Sequence, residues 1–301
     1  MKNKFPVILD VDTGIDDAVA IIMACAQHNI DVQLITCCFG NSEQSQVVAN
    51  TLTILEDIKK EHIPVASGAS APVYSEIDFI RAHGINGLGG YKKELHSSPI
   101  KTSCSKAMHE VVEKNDFTYI IACGPYTNIA NYIKKYPQDI DKFKLIAVTG
   151  STETDEKDPY LNFNMAIDIA SFKYVLKRVP NIIFCTSDMG HKSYIPSKDF
   201  LKSAKCSETG RFLATIYPCH KDRSVKDGAA LHDACGVAWL VKPKMFKMSF
   251  ANATIKKASN GKEYLHFDYH SESPNSIVTL DINKKAFHNW YYKTLKSIKL
   301  K

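Results

Sequence analysis

The sequence predicts an α/β protein: one domain with a mostly parallel central sheet flanked by helices in an open, doubly wound arrangement. Short β-branched runs recur at residues 7–12, 32–38, 118–123, 144–150 and 181–187. Segments of helical periodicity lie between or after them, at residues 15–27, 44–60, 105–114, 128–136, 169–179 and 229–241. The runs are continuously apolar, as strands covered on both faces must be. No repeat and no Pro/Gly/Ser-rich linker divides the chain, so residues 1–301 read as a single domain.

The first run, VILDVD, ends in acids. The helix expected after it opens near Ile15, behind the turn residues Thr13 and Gly14. In residues 44–60 the positions Val47, Val48, Leu52, Leu55 and Ile58 recur at three- and four-residue spacing, which places one apolar face on the sheet. The polar stretches DVD, FGN, ACGPYTN, TGSTETD and SDMGHK each follow an apolar run directly. Parallel sheets bind ligands beyond the carboxyl ends of their strands, which is where these stretches fall. Residues 252–268 are polar and weakly patterned, and an outlying hairpin is expected there.

Composition excludes several classes. At 45% hydrophobic and 23% charged, the 301 residues form a folded globular chain. A chain of this length buries about three quarters of its unfolded surface, so it needs no disulfide or structural metal. The net charge of +6 comes from scattered lysines with no clustered basic face, so no nucleic-acid partner is expected. Nine cysteines, without a Cys-x-x-Cys pair and often inside apolar runs, read as buried free thiols in a reducing compartment. The amino-terminal apolar run is too short for a signal peptide, and no stretch approaches the roughly 18 apolar residues of a membrane span. The expected location is the cytoplasm.

The chemistry concentrates in Asp10, Asp12, Asp16 and Asp17. Four carboxylates within eight residues repel one another unless a cation or protons relieve them. Oxygen-only donors suit Ca²⁺ or Mg²⁺. Helix capping accounts for one or two such acids, not for four ending in a pair. An EF-hand loop fails, because the twelfth position from Asp10 is Ile21 where a Glu is needed. A D-x-D phosphatase of the haloacid-dehalogenase type is the competing reading, with Asp10 as nucleophile and Asp12 as general acid. It has no use for the Asp16–Asp17 pair.

The segment ILDVDTGIDDAVA resembles the D-x-D-P-G-x-D-D signature of the nucleoside hydrolase family, with Thr13 in the place of the usual Pro. Further stretches resemble that family in order: FGN at 39–41, AHGINGLGG at 82–90, ACGPYTNIA at 122–130, NFNMAIDIAS at 162–171, SDMGHK at 187–192 and ALHDACGVAW at 230–239. The resemblance implies an inosine-uridine-preferring nucleoside hydrolase-like enzyme that cleaves a ribonucleoside to ribose and free base. By the same resemblance, Ca²⁺ is held by Asp12, Asp17, Asp233 and the Cys123 carbonyl, where the family has Thr. Asp12 is then the general base and His232 the acid for the leaving base. Asp16, Asn41, Asn164 and His83 are substrate contacts, and Asp10 supports its neighbours. A homodimer or homotetramer is expected from the family.

Two departures bear on the sugar's 5′ end. Asn162 stands where the family usually has Glu, and Glu156 where it usually has Asn. A reciprocal exchange, a modified or purine-like nucleoside substrate, and a catalytically weak nucleoside-binding protein are the readings this leaves. Tyr217 and His220 fall in a stretch that encloses the base in the family, with a core aromatic and a surface histidine as the plainer alternatives.

Overall fold

The computed structural model describes residues 4–72, 82–152, 157–221 and 226–298. All five apolar runs are strands, and all six periodic segments contain a helix. The chain opens with β1 (Phe5–Val11), α1 (Ile15–Ala26), β2 (Ile30–Cys37), α2 (Gln44–Asp57) and β3 (Val65–Ser67). It continues through α3 (Cys104–Lys114), β4 (Thr118–Ala122), α4 (Thr127–Lys135), β5 (Phe143–Val148), α5 (Phe163–Ala166) and α6 (Ile169–Arg178). Next come β6 (Ile182–Cys185), α7 (Ser187–Ser193), α8 (Phe200–Ala204), α9 (Glu208–Ile216) and α10 (His232–Val241). It closes with β7 (Phe246–Lys257), β8 (Glu263–Asp268), β9 (Ser276–Ile282) and α11 (Lys284–Ser297).

Two helices are shorter than their periodicity suggests, each for a local reason. α2 stops because Lys59 takes the left-handed conformation (φ 58°) and Lys60 N–H reaches back to the Leu55 carbonyl at 2.8 Å. α10 starts at His232 because Ala229 pairs with Ile195 through two 2.9 Å backbone bonds, which holds residues 229–231 extended.

The nine strands form one sheet in the order β3-β2-β1-β4-β5-β6-β9-β7-β8. Pairing is parallel from β3 to β9, and antiparallel where β7 joins β9 and β8. The expected hairpin at 252–268 therefore exists but is not outlying: β7 continues the main sheet along β9.

Strand alternation divides the core into two layers. Val7, Leu9 and Val11 of β1, Ile121 of β4 and Ile146 of β5 face the layer of α1, α2, α10 and α11. Ile8, Ile120 and Leu145 face the layer of α3, α4 and α6. Each such fully buried side chain contributes about 1.5–3 kcal/mol from apolar burial. The chain builds outward from β1 to β3, then returns to β1's other side with β4. The β1–β4 boundary is thus the switch point, and the crevice beyond its carboxyl ends is where such sheets bind ligands.

Candidate active site

The acids fall in that crevice. Asp12 lies just past β1, Asp16 and Asp17 occupy the first turn of α1, and Asp233 the first turn of α10, which packs against α1. All four are buried. Part of their bonding is structural. Asp17 Oδ2 accepts from Gly14 N–H (2.9 Å) and from Asn41 Nδ2 (3.3 Å), while Asp12 Oδ2 accepts from Asn41 N–H (2.8 Å). Gly40 permits that approach, since a Cβ there would stand 2.1 Å from Asp12 Oδ2. Capping thus accounts for one oxygen of Asp17. The other, Oδ1, is buried with no hydrogen-bond partner.

Among the described residues, no Lys or Arg forms an ion pair with any of these four acids. Their electrostatics follow. Burial, then the Asp16 charge, pushes the Asp17 carboxyl up to about 7. Burial and the neighbouring acids push Asp12 and Asp233 well above the carboxylate range. A crowd of buried carboxyls with orphaned oxygen and no lysine or arginine partner among the described residues fits a divalent cation.

Cys123 follows β4, and alternation turns its side chain toward α1 and α10. Its thiol and the Asp17 and Asp233 carboxylates lie within 4.8 Å of one another. Burial, then the Asp233 charge, holds that thiol protonated, so the hard oxygen donor remains the carbonyl. That carbonyl accepts a hydrogen bond from Asn164 Nδ2. Asn164, expected as a substrate contact, thus lies against the carbonyl expected as a calcium ligand.

Asp12, Asp16, Asp233, Cys123 and Asn164 line one cavity of about 400 Å³, with Asp17 buried behind them, and it also takes in Asn41, His83, Asn162, Ser187, His220 and His232. His83 Nδ1 accepts from Ile15 N–H (3.1 Å) and lies 3.7 Å from Asp16. Its ring stacks on His220 at 4.7 Å, 21° from parallel. His220 is only 7% exposed, so it is no surface histidine. Asp16, His83 and His220 bring ligand atoms within 4.8 Å. A shared ion would have to lie in both ring planes, and near-parallel planes do not meet close to those atoms. Tyr217 is the core aromatic: it is fully buried and its hydroxyl bonds that of Tyr291. His232 packs against α7, where a Cβ on Gly190 would fall 1.9 Å from its Nδ1, and meets His191 edge-on at 5.0 Å.

Asn162 lines the cavity with part of its amide engaged: Oδ1 accepts from Thr149 Oγ1 (2.6 Å), and Nδ2 donates one of its two hydrogens to Ser187 Oγ (3.0 Å). Glu156, its expected exchange partner, lies outside the described residues. The competing phosphatase reading needs correction, because Asp10 cannot be its nucleophile. It is fully buried away from the cavity, Oδ1 accepts from Thr36 (2.6 Å) and Asn128 (2.8 Å), and burial raises its carboxyl to about 7. The sequence reading missed Thr149 and Ser187. The one available signal was that SDMGHK begins directly after a strand.

Residues 7–289 match the family model described as inosine-uridine preferring nucleoside hydrolase. A non-specific ribonucleoside hydrolase RihC from Klebsiella pneumoniae is 28% identical over 295 residues, covering 95% of this chain and 97% of the relative. The RihC of Escherichia coli O157:H7 is 29% identical over 301 residues, covering 97% and 98%. Among solved structures, a purine-preferring ribonucleoside hydrolase from Gardnerella vaginalis superposes with a TM-score of 0.88 at 21% identity, covering 97% of this chain and 98% of that one. The plant nucleoside hydrolase PpNRh1 gives 0.86 at 23% identity, covering 97% and 99%. At those identities the two structures speak to the fold.

Proposed function

The chain belongs to the inosine-uridine preferring nucleoside hydrolase family, and from that premise we propose that it hydrolyses the N-glycosidic bond of a ribonucleoside, giving ribose and free base. The observation that carries this is the convergence of four buried carboxyls at the sheet's switch point, with one Asp17 oxygen left unpartnered. The donor set suits Ca²⁺, which we assign to Asp12, Asp17, Asp233 and the Cys123 carbonyl. When bound, such an ion offsets the acids' repulsion, lowers the pKa of water and orients a vicinal diol.

The chain's own groups then divide the work. Asp12 is the general base: it takes a proton from water as that oxygen bonds C1′ and the C1′–N bond breaks. The reacting sugar is oxocarbenium-like, and the surrounding carboxylates favour its positive charge. His232 gives a proton to the departing base nitrogen. Asp16 and Asn164 hold ribose hydroxyls, Asn41 braces Asp12 and Asp17 beside them, and Asp10 supports the strand end. The stacked His83–His220 wall suits a flat base, purine-like or modified. By likeness to the family, the enzyme works as a cytoplasmic homodimer or homotetramer of single-domain chains spanning residues 1–301. None of the described helices is long and apolar enough to cross a membrane.

A reducing-sugar assay on a panel of natural and modified nucleosides, with calcium present, tests the proposal. Ribose release that stops on chelation is expected. A blank across the whole panel contradicts it.

A further inference from the structure

Asn162 and Ser187 line the cavity apart from its acids, and behind them Thr149 is fully buried. Thr149 Oγ1 donates to Asn162 Oδ1 at 2.6 Å, and Asn162 Nδ2 donates to Ser187 Oγ at 3.0 Å. The two lengths fit this orientation of the amide, the shorter being an O–H···O bond and the longer an N–H···O bond, and with it the direction is set at each link, because an amide oxygen only accepts and an amide NH₂ only donates. Ser187 Oγ therefore receives a hydrogen bond and keeps its own proton. Among the described residues that proton has no acceptor, although Ser187 is only 3% exposed. A hydroxyl donor on a cavity wall needs an acceptor, which water in the cavity or a bound ligand supplies.

We propose that Ser187 is a substrate-contacting residue that donates its hydroxyl hydrogen to an acceptor oxygen of the nucleoside, with Thr149 and Asn162 as positioning residues that set this polarity. The inference rests on the hydrolase reading above. With the acids engaging the 2′,3′-diol, the sugar's remaining exocyclic oxygen is the 5′ one, and it is the one left for this wall. Thr149, Asn162 and Ser187 are themselves uncharged, so the acceptor needs no proton of its own to meet them: an ether or ester oxygen serves as well as a hydroxyl. A carboxylate at position 162 would reverse that preference. The substrate class accordingly includes nucleosides blocked at the 5′ oxygen, and the cavity of about 400 Å³ has room for a small blocking group.

Three forms of one nucleoside test this: the 5′-hydroxyl parent, its 5′-O-methyl ether and the 5′-deoxy compound. In the wild type, kcat/KM for the ether is expected within about threefold of the parent, and the deoxy compound about tenfold or more below both. Ser187→Ala brings the first two down to the level of the third. In Asn162→Asp the new carboxylate accepts from both Thr149 and Ser187, consuming the Ser187 proton. The ether should then fall about tenfold below the parent, a reversal that a merely structural role for Asn162 would not produce. A wild type that treats the ether like the deoxy compound overturns the proposal, as does a Ser187→Ala variant that keeps the wild-type order. Ligand-induced shifts in Tm rank the same three compounds without turnover. If none is hydrolysed yet the shifts follow this order, the hydrolase reading fails and the Ser187 assignment stands; shifts without that order overturn the assignment.

Discussion

Two walls of one cavity handle buried polar atoms in opposite ways. At the β1–β4 switch point, Asp12, Asp16, Asp17 and Asp233 are packed together with no lysine or arginine partner among the described residues, and one oxygen of Asp17 is left with nothing to accept from. On the other wall, Thr149, Asn162 and Ser187 are linked by two hydrogen bonds that leave the Ser187 hydroxyl proton unspent. The first wall is short of positive charge; the second offers a neutral donor. On the proposals above, the first receives a cation and the second a neutral oxygen. The acidic wall should therefore dominate turnover and couple to metal and pH, whereas the hydroxyl wall should only sort substrates.

The largest break in this contrast is expected from Asp17→Asn. The amide still accepts from Gly14 N–H, so α1 keeps its start, but a ligand charge is gone. Ribose release should fall about a thousandfold or more, with calcium binding lost in calorimetry. The same change should stabilise the chelator-stripped protein. Burial and the Asp16 charge raise this carboxyl from 3.8 to about 7, which marks an unfavourable charge that the amide removes. A Tm that rises by a few degrees while activity collapses would separate repulsion from function.

A pH series sharpens the same wall. Asp10 and Asp17 titrate near 7 in the folded chain against 3.8 as ordinary carboxyls, so between these values the folded state binds more protons than the unfolded one. Their contribution to the stability of stripped protein is full below about pH 4 and is lost as pH rises through about 7. The gain in Tm on adding calcium should therefore grow from pH 5 to pH 8. A gain that is flat across that range would contradict the repulsion described here. The hydroxyl wall gives the smallest effect: about tenfold for Ser187→Ala, with no change in calcium affinity.

How much of this was legible in the sequence follows from how local each feature is. β1, β2, β4, β5 and β6 are continuous apolar runs, and their burial on both faces made them readable. β3 is three residues long, too short to carry a pattern, and β7 to β9 include exposed positions at the sheet's antiparallel end. Four acids within eight residues announce themselves, and so does a His-Asp pair opening a helix. The second wall does not. Thr149, Asn162 and Ser187 are 13 and 25 residues apart in sequence, and a serine or threonine facing a cavity has no periodic signature. His83 and His220 are far apart in sequence, and only the fold brings their rings together. The sequence places the sugar's 5′ end near Asn162; the proposal above adds Ser187, which Asn162 reaches through its Nδ2.

The central claim is that the cation held by the acidic wall is what makes the protein a ribonucleoside hydrolase. Titrating calcium into chelator-stripped wild type, while following ribose release from a turned-over nucleoside, tests it most directly. Turnover should be absent at the start and rise in proportion to a single calcium bound per chain. Full turnover in the stripped protein, or ribose release that does not track calcium occupancy, would contradict it.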